Sequence, residues 1–273
     1  MILSLGPMKP PVALRLCPVR LRTALFYRRY WPVPERYEPL FEEAPLSYAK
    51  HVSMSLLRTD VGHAQIAMTG VFDLALTKRL LRAARDGGLL VDVGANAGYF
   101  TLLWASAAAR NDCIAIEASP RNIDRLRRNV ERNKLEEQVS IVETAAGAES
   151  GSMRFDLGPT DQTGWGGFAS EGSEWETTDV KVVPVDDIVG DREVSFLKVD
   201  VEGADAWVLM GCKRMLSEKR VKELHYEQNR PRMQSLGIGD DEAARFLAKV
   251  GYEARPLGDD SMGLVDWVAR PVM

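Results

Sequence analysis

The sequence predicts an α/β protein built on a doubly wound, mostly parallel sheet with helices on both faces. Three observations carry that expectation. From Leu89 onward, short apolar runs alternate with segments of helical periodicity, the pattern of repeated strand–helix units. The turn out of the first of these strands holds Gly94 and Gly98, where a backbone must bend sharply into a helix. The composition is that of an ordinary globular chain: 273 residues, 45% hydrophobic, 27% charged, net charge -4. That length allows one large domain or two small ones. The charge argues against a strongly basic nucleic-acid binder. Three scattered cysteines (Cys17, Cys113, Cys212) and only three histidines argue against a disulfide scaffold or a zinc module. A reducing, cytoplasmic setting is the natural expectation.

The elements follow in order. Between Met1 and Pro34 stand Lys9, Arg15, Arg20, Arg22, Arg28 and Arg29, with no acid. Such a start reads as a basic arm that packs on the domain or stays loose, or as an organelle transit peptide, although it lacks serine enrichment and is interrupted by prolines. Residues 51–58 and 64–72 alternate in polarity around Thr59-Asp60-Val61-Gly62 and suggest a small hairpin or two edge strands. Thr77 is the expected cap of a short helix ending near Gly87-Gly88. Residues 1–75 thus form a basic arm with accessory elements, and residues 76–273 the main domain.

The window 89–109 is long and apolar enough to resemble a membrane span, but Asp92 and Asn96 at its centre favour a buried strand (89–93) turning into a helix (99–109). Residues 113–117 form a second strand. Ser119 and Pro120 then signal a helix start, with Ile123, Leu126 and Val130 at helical spacing. Strands follow at 139–145, 194–200 and 221–228, with helices at 204–216 and from Asp240 or Asp241 to Val250. Residues 147–181 read as turns, short strands or a flexible loop. Residues 252–257 and 263–270 read as a closing hairpin.

In a doubly wound sheet the ligand lies at the carboxyl ends of the strands. There the chain reads Asp92-Val93-Gly94-Ala95-Asn96-Ala97-Gly98-Tyr99-Phe100, a D-x-G-x-N-x-G spacing and not the G-x-G-x-x-G of a dinucleotide site. Asp92 would repel a pyrophosphate, whereas a ligand with a cationic amine and a sulfonium, such as S-adenosylmethionine (SAM), accepts it. Glu117 ends the second strand, where a carboxylate can take hydrogen bonds from ribose hydroxyls. Either acid alone reads equally as a solvated strand end; their register with a Pro-started helix gives the signal its specificity.

A second constellation is Lys198-Val199-Asp200-Val201-Glu202-Gly203. Alternation places Lys198, Asp200 and Glu202 on one side of a strand, and a buried lysine needs a carboxylate partner. Glu227 ends the neighbouring strand, about 4.8 Å away. Asp200 is the first candidate for a base or an acceptor-orienting group, with Glu227 second; the plainer alternative has Asp200 only hydrogen-bonding the cofactor. Glu202 is a candidate substrate contact or a helix cap. Trp165, set among glycines at 161–168, either stacks on a substrate beneath a lid or sits at a hairpin tip. His225 reads as a core residue, and His51 and His63 carry no signal. No spacing suggests a dedicated metal site, although two carboxylates at one cleft leave room for weak magnesium binding.

The runs VDVGANAGYFTLLWA, AIEASPRNIDRLRRNVERNKL and FLKVDVEGADAWVLMGC resemble the signature blocks of FkbM-type SAM-dependent methyltransferases. The resemblance covers roughly residues 75–270, and residues 1–47 lie outside it. The Leu-Asp pair common before the fourth strand is absent from Val183-Pro184-Val185-Asp186-Asp187. The resemblance implies a seven-stranded class I methyltransferase sheet, SAM as donor, and a hydroxyl acceptor on a sugar or other small natural product. It implies that Asp92, Gly94, Ala95, Asn96 and Gly98 hold the methionine part, with Tyr99 and Phe100 shaping the wall. Glu117 would bind the ribose, and Ala118, Ala145 and Ala146 would line the adenine pocket, the two last being equally explicable as packing. Two alternatives stay open: a non-catalytic SAM-binding module, and a nicotinamide-dependent oxidoreductase. Nucleic-acid methylation is opposed by the lack of an Asp/Asn-Pro-Pro-Tyr/Phe motif and by the negative charge. Oligomeric state is left open.

Overall fold

The computed structural model describes residues 8–261 and 263–272. Among them, seven strands form the central sheet: β1 (Gly88–Val93), β2 (Asn111–Glu117), β3 (Val139–Glu143), β4 (Phe196–Val199), β5 (Leu224–Asn229), β6 (Tyr252–Ser261) and β7 (Leu264–Pro271). They lie in the order β3-β2-β1-β4-β5-β7-β6. Only β7 runs against the rest, antiparallel to both its neighbours. The strand order reverses between β1 and β4, the switch point at which such sheets open a crevice.

Strand alternation sorts the core into two faces. Leu89, Val91 and Val93 pack with Leu197, Val199 and Val208 on one side, while Leu90 joins Phe196 and Trp104 on the other. Asp92 falls on this second side, where the register sets it beside Lys198 and Lys198 beside His225.

The second face is covered from the N-terminal part of the chain. Leu14, Phe26, Met68 and Leu80 lie on the helices Val12–Leu16, Val19–Arg29, Val61–Thr69 and Leu74–Ala84. They belong to the same buried cluster as Trp104 and Phe196. The described part of the basic arm therefore packs on the domain; residues 1–7 lie outside the described residues. No helix among the described residues is long and apolar enough to cross a membrane.

Several expected elements differ. The hairpin expected around Thr59–Gly62 is absent: only Ser53–Met54 is a strand, paired with Ala44–Pro45, and residues 61–69 are helical. That helix is buried on all sides, from His63 through Thr69, so its sequence carries no amphipathic period to mark it. Asp73, not Thr77, caps the next helix, accepting from the N–H groups of Ala75 and Leu76. The helix at Tyr99 ends at Ala105. Ser119 occupies the cap position of Pro120–Arg132 without making a side-chain cap bond. The helix expected at 204–216 is two short ones, Asp205–Met210 and Lys213–Ser217, parted at Gly211, where any Cβ would collide with the Gly147 carbonyl.

The third strand also ends early, at Glu143. Ala145–Ala146 instead joins Gly151–Asp156, Gly167–Phe168 and Thr177–Val183 in a separate four-stranded sheet, so residues 147–181 hold the short strands expected among turns and loops.

Candidate active site

The loops at the carboxyl ends of β1, β2, β4 and β5 surround one cavity of about 800 Å³. Its first wall is the turn after β1. Gly94 has φ 77°, and a side chain there would drive into the backbone carbonyl of Asp200; glycine is what lets the β1 and β4 loops touch. Asn96 also sits in the left-handed region at φ 50°. Its backbone N–H donates to Glu117 Oε2 at 2.7 Å, while Ser119 N–H donates to Oε1 at 2.7 Å. Burial raises the Glu117 pKa, and these two backbone bonds pull it back toward the charged form. Asn122 adds a side-chain hydrogen bond to the same carboxylate, which leaves acceptor capacity for a further donor.

Gly94, Ala95, Asn96, Tyr99 and Phe100 line the cavity, as do Glu117, Ala118, Ala145 and Ala146. Trp165, Asp200, Glu202 and Glu227 line its other walls. Asp92 and Gly98 are not among its lining residues. The Asp92 side chain is fully buried behind the turn, its Oδ2 accepting from Thr101 Oγ1 at 2.7 Å and its Oδ1 standing 3.3 Å from Lys198 Nζ. The expectation that Asp92 meets a ligand amine is thus corrected: strand alternation turns it to Lys198, which neutralises it. Gly98 (φ 91°) starts the helix, and a Cβ there would lie 2.7 Å from Leu126 Cδ1, so its role is a turn and close helix packing.

Lys198 is the buried lysine for which a carboxylate partner was required, and it has two. Its Nζ lies 3.4 Å from Asp200 Oδ2 as well as beside Asp92, and it donates to Gly94 O at 3.2 Å. Burial alone would lower its pKa, but Asp200 and Asp92 outweigh that and raise it, so the ammonium is permanent at neutral pH.

Part of the cavity lining is acidic. One oxygen each from Asp200, Glu202 and Glu227 lies within 4.8 Å of the other two. Burial, then the charges of Asp200 and Glu202, push Glu227 up to about 10. Burial and Asp200 push Glu202 up to about 7, against the pull of Arg232 and of an Asn229 amide that donates at 2.9 Å. The Glu227 shift favours its protonated carboxyl at neutral pH, a form that can donate a hydrogen bond into the cavity.

Two lining residues to which the sequence assigned no functional role, His63 and Asp60, come from the N-terminal helix Val61–Thr69 and its cap. Leu57 N–H donates to His63 Nδ1 at 3.2 Å, which leaves the proton on Nε2 to donate to Asn96 Oδ1 at 3.1 Å. Burial lowers the His63 pKa, so the ring is neutral. Asp60 Oδ2 accepts from both Thr163 N–H (2.7 Å) and Thr163 Oγ1 (2.8 Å), and Asn122 Nδ2 donates to Thr163 O at 3.2 Å. The loop that carries Trp165 is thus pinned beside the cavity, with the indole itself half exposed. No local motif marks His63 or Asp60, whose partners lie 33 and 103 residues away.

A family model described as Methyltransferase FkbM domain matches residues 92–254. Among solved structures, the chain is similar to a methyltransferase FkbM from Methylobacillus flagellatus KT (15% identity, TM-score 0.49), covering 90% of this chain and 60% of that one. It is also similar to precorrin-6y C5,15-methyltransferase from Geobacter metallireducens GS-15 (13%, TM-score 0.43; 73% and 89% covered). A third is an O-methyltransferase from Bacillus cereus in complex with S-adenosylhomocysteine (SAH) (12%, TM-score 0.41; 73% and 81% covered). No curated protein matches the chain. The matched region runs from Asp92 at the end of β1 into β6 and takes in most of the cavity, and the chain belongs to the FkbM methyltransferase family.

Proposed function

We propose that the chain transfers a methyl group from SAM to a hydroxyl oxygen of a small molecule, a sugar or other natural product. The observation that carries this reading is that a single cavity is lined both by the Gly94–Asn96 turn and Glu117 and by Asp200 and Glu227. The residues present fit SAM. Glu117 keeps acceptor capacity for ribose hydroxyls, and the small side chains of Ala118, Ala145 and Ala146 leave room for a flat ring. The turn at Gly94–Asn96 would hold the methionine part. When bound, SAM supplies an electrophilic methyl on a sulfonium.

The chain's own residues supply alignment, dryness and proton handling. Tyr99 and Phe100, edge to face at 5.1 Å, form an apolar wall that excludes water. Asp200, steadied by Lys198, orients the acceptor hydroxyl and takes its proton. Glu227 donates a hydrogen bond to the acceptor. Residues 76–273 carry this chemistry, and residues 1–75 brace it through Asp60 and His63.

Calorimetry with SAH tests the cofactor. Wild type should bind, and Glu117→Ala should bind at least tenfold more weakly. Asp200→Asn should keep SAH binding while turnover on a panel of hydroxylated acceptors falls by roughly 10²–10⁴-fold, the range of a general base. Absence of SAH binding by wild type overturns the reading, and a thermal shift with NAD alone would favour an oxidoreductase. Tight SAH binding with no transfer to any acceptor would favour a binding module.

A further inference from the structure

Asp73, His225 and Asp266 reach the cavity from three distant parts of the chain: a helix cap, the middle of β5, and β7. One ligand-type atom from each lies within 4.8 Å of the other two, and His225 Nε2 stands 3.5 Å from Asp266 Oδ1. His225 is only 3% exposed, and its Nδ1 is buried with no hydrogen-bond partner. Burial and the nearby Lys198 ammonium keep the ring neutral, which leaves a lone pair on nitrogen. Asp73 uses Oδ1 for its cap bonds, so Oδ2 is unspent. Among the described residues neither aspartate is paired with a lysine or arginine. Two neighbouring carboxylates and a buried neutral imidazole form a donor set whose nearest ammonium, Lys198, is already engaged by Asp92 and Asp200.

We infer that Asp73, His225 and Asp266 bind a divalent metal ion of the manganese or zinc class. One imidazole nitrogen with two carboxylate oxygens suits such ions better than calcium or magnesium, which prefer oxygen alone. Bonds of about 2.0–2.2 Å place ligand atoms roughly 3–4 Å apart, within reach of small rotamer adjustments here. Three protein ligands leave coordination positions open to water or to an oxygen of a bound molecule. The acidic set Asp200, Glu202 and Glu227 is the poorer host: it offers no imidazole, and Lys198 and Asn229 already occupy Asp200 and Glu202. Metal binding at the triad is independent of whether the chain transfers methyl groups.

The test uses Mn²⁺, which unlike zinc has little affinity for the free thiols. The full chain, stripped with chelator, is titrated with Mn²⁺ while the free-ion electron paramagnetic resonance signal is followed. Wild type should bind one ion per chain, and the bound ion should show imidazole nitrogen coupling in spin-echo modulation. Asp266→Asn and Asp73→Asn, near-isosteric and the latter keeping a side-chain oxygen that accepts the cap bonds, should each weaken binding at least tenfold. His225→Gln should remove the nitrogen coupling, and Glu227→Gln should leave binding unchanged. Lack of stoichiometric binding by wild type overturns the inference. So does undiminished binding in both Asp→Asn variants, or binding lost in Glu227→Gln alone.

Discussion

Among the described glycines, Gly94 is the one where an added Cβ would meet the closest atom. Its φ of 77° disfavours any L side chain, and a Cβ would collide with the Asp200 carbonyl that closes the switch point. Strain and overpacking together make Gly94→Ala cost about 2–5 kcal/mol, to be read from denaturant midpoints, with SAH binding lost in whatever folds. A stable Gly94→Ala variant that binds SAH normally would refute this account. Glu202 makes a second prediction at this scale. Its pKa is raised from 4.5 to about 7, so the folded state holds a proton that the unfolded state has released. Stability from this group is fully present below about 4.5, falls as pH rises, and is lost once pH passes about 7. The Tm advantage of Glu202→Gln over wild type should therefore grow between pH 4.5 and 7 and level off above. A pH-independent difference would show that Glu202 does not titrate in this window. Gly94, Asn96, Glu117 and Asp200 were legible because their spacing is local. Lys198 was legible as a buried lysine in need of an acid, but not that Asp92 would be one of its two partners. That depends on cross-strand register, which one strand does not display.

Between elements, the decisive contacts are made by the helix Val61–Thr69. Its cap, Asp60, also holds the loop bearing Trp165 through two bonds to Thr163. Hydrogen bonds to a charged group are worth about 1.5–3 kcal/mol. Asp60→Ala should cost that order and speed amide exchange over residues 161–168 while leaving β1–β5 protected. Equal protection of the loop in the variant would show that Asn122 suffices to hold it. The sequence order of strands and helices after Leu89 was legible from alternation and capping signals. The helix at 61–69 was not, because burial on every side erases helical periodicity. The four-stranded sheet was hidden for a different reason: two of its four strands are only two residues long, and a glycine-rich stretch separates the two longer ones.

Across the whole molecule, the described residues up to 75 and the sheet share one apolar core. Phe26 is fully buried in the cluster that contains Trp104 and Phe196. Phe26→Ala should cost about 3–5 kcal/mol, as for a large aromatic in a packed core, and should lower the single thermal transition of the entire chain. A separate early transition, with the remainder unmoved, would mean that the N-terminal layer folds as its own unit. The charge asymmetry of residues 1–34 was legible, but the burial of Leu14 and Phe26 between the arginines was not, since their partners lie far along the chain. The same arrangement bears on how the protein is made. Leu14 and Phe26 are synthesised well before Trp104 and Phe196, and Asp60 about a hundred residues before Thr163. Contacts this non-local form slowly and leave apolar surface uncovered meanwhile. On the ribosome the nascent chain therefore carries an unshielded hydrophobic N-terminal layer until β4 emerges, an interval in which a chaperone has something to hold.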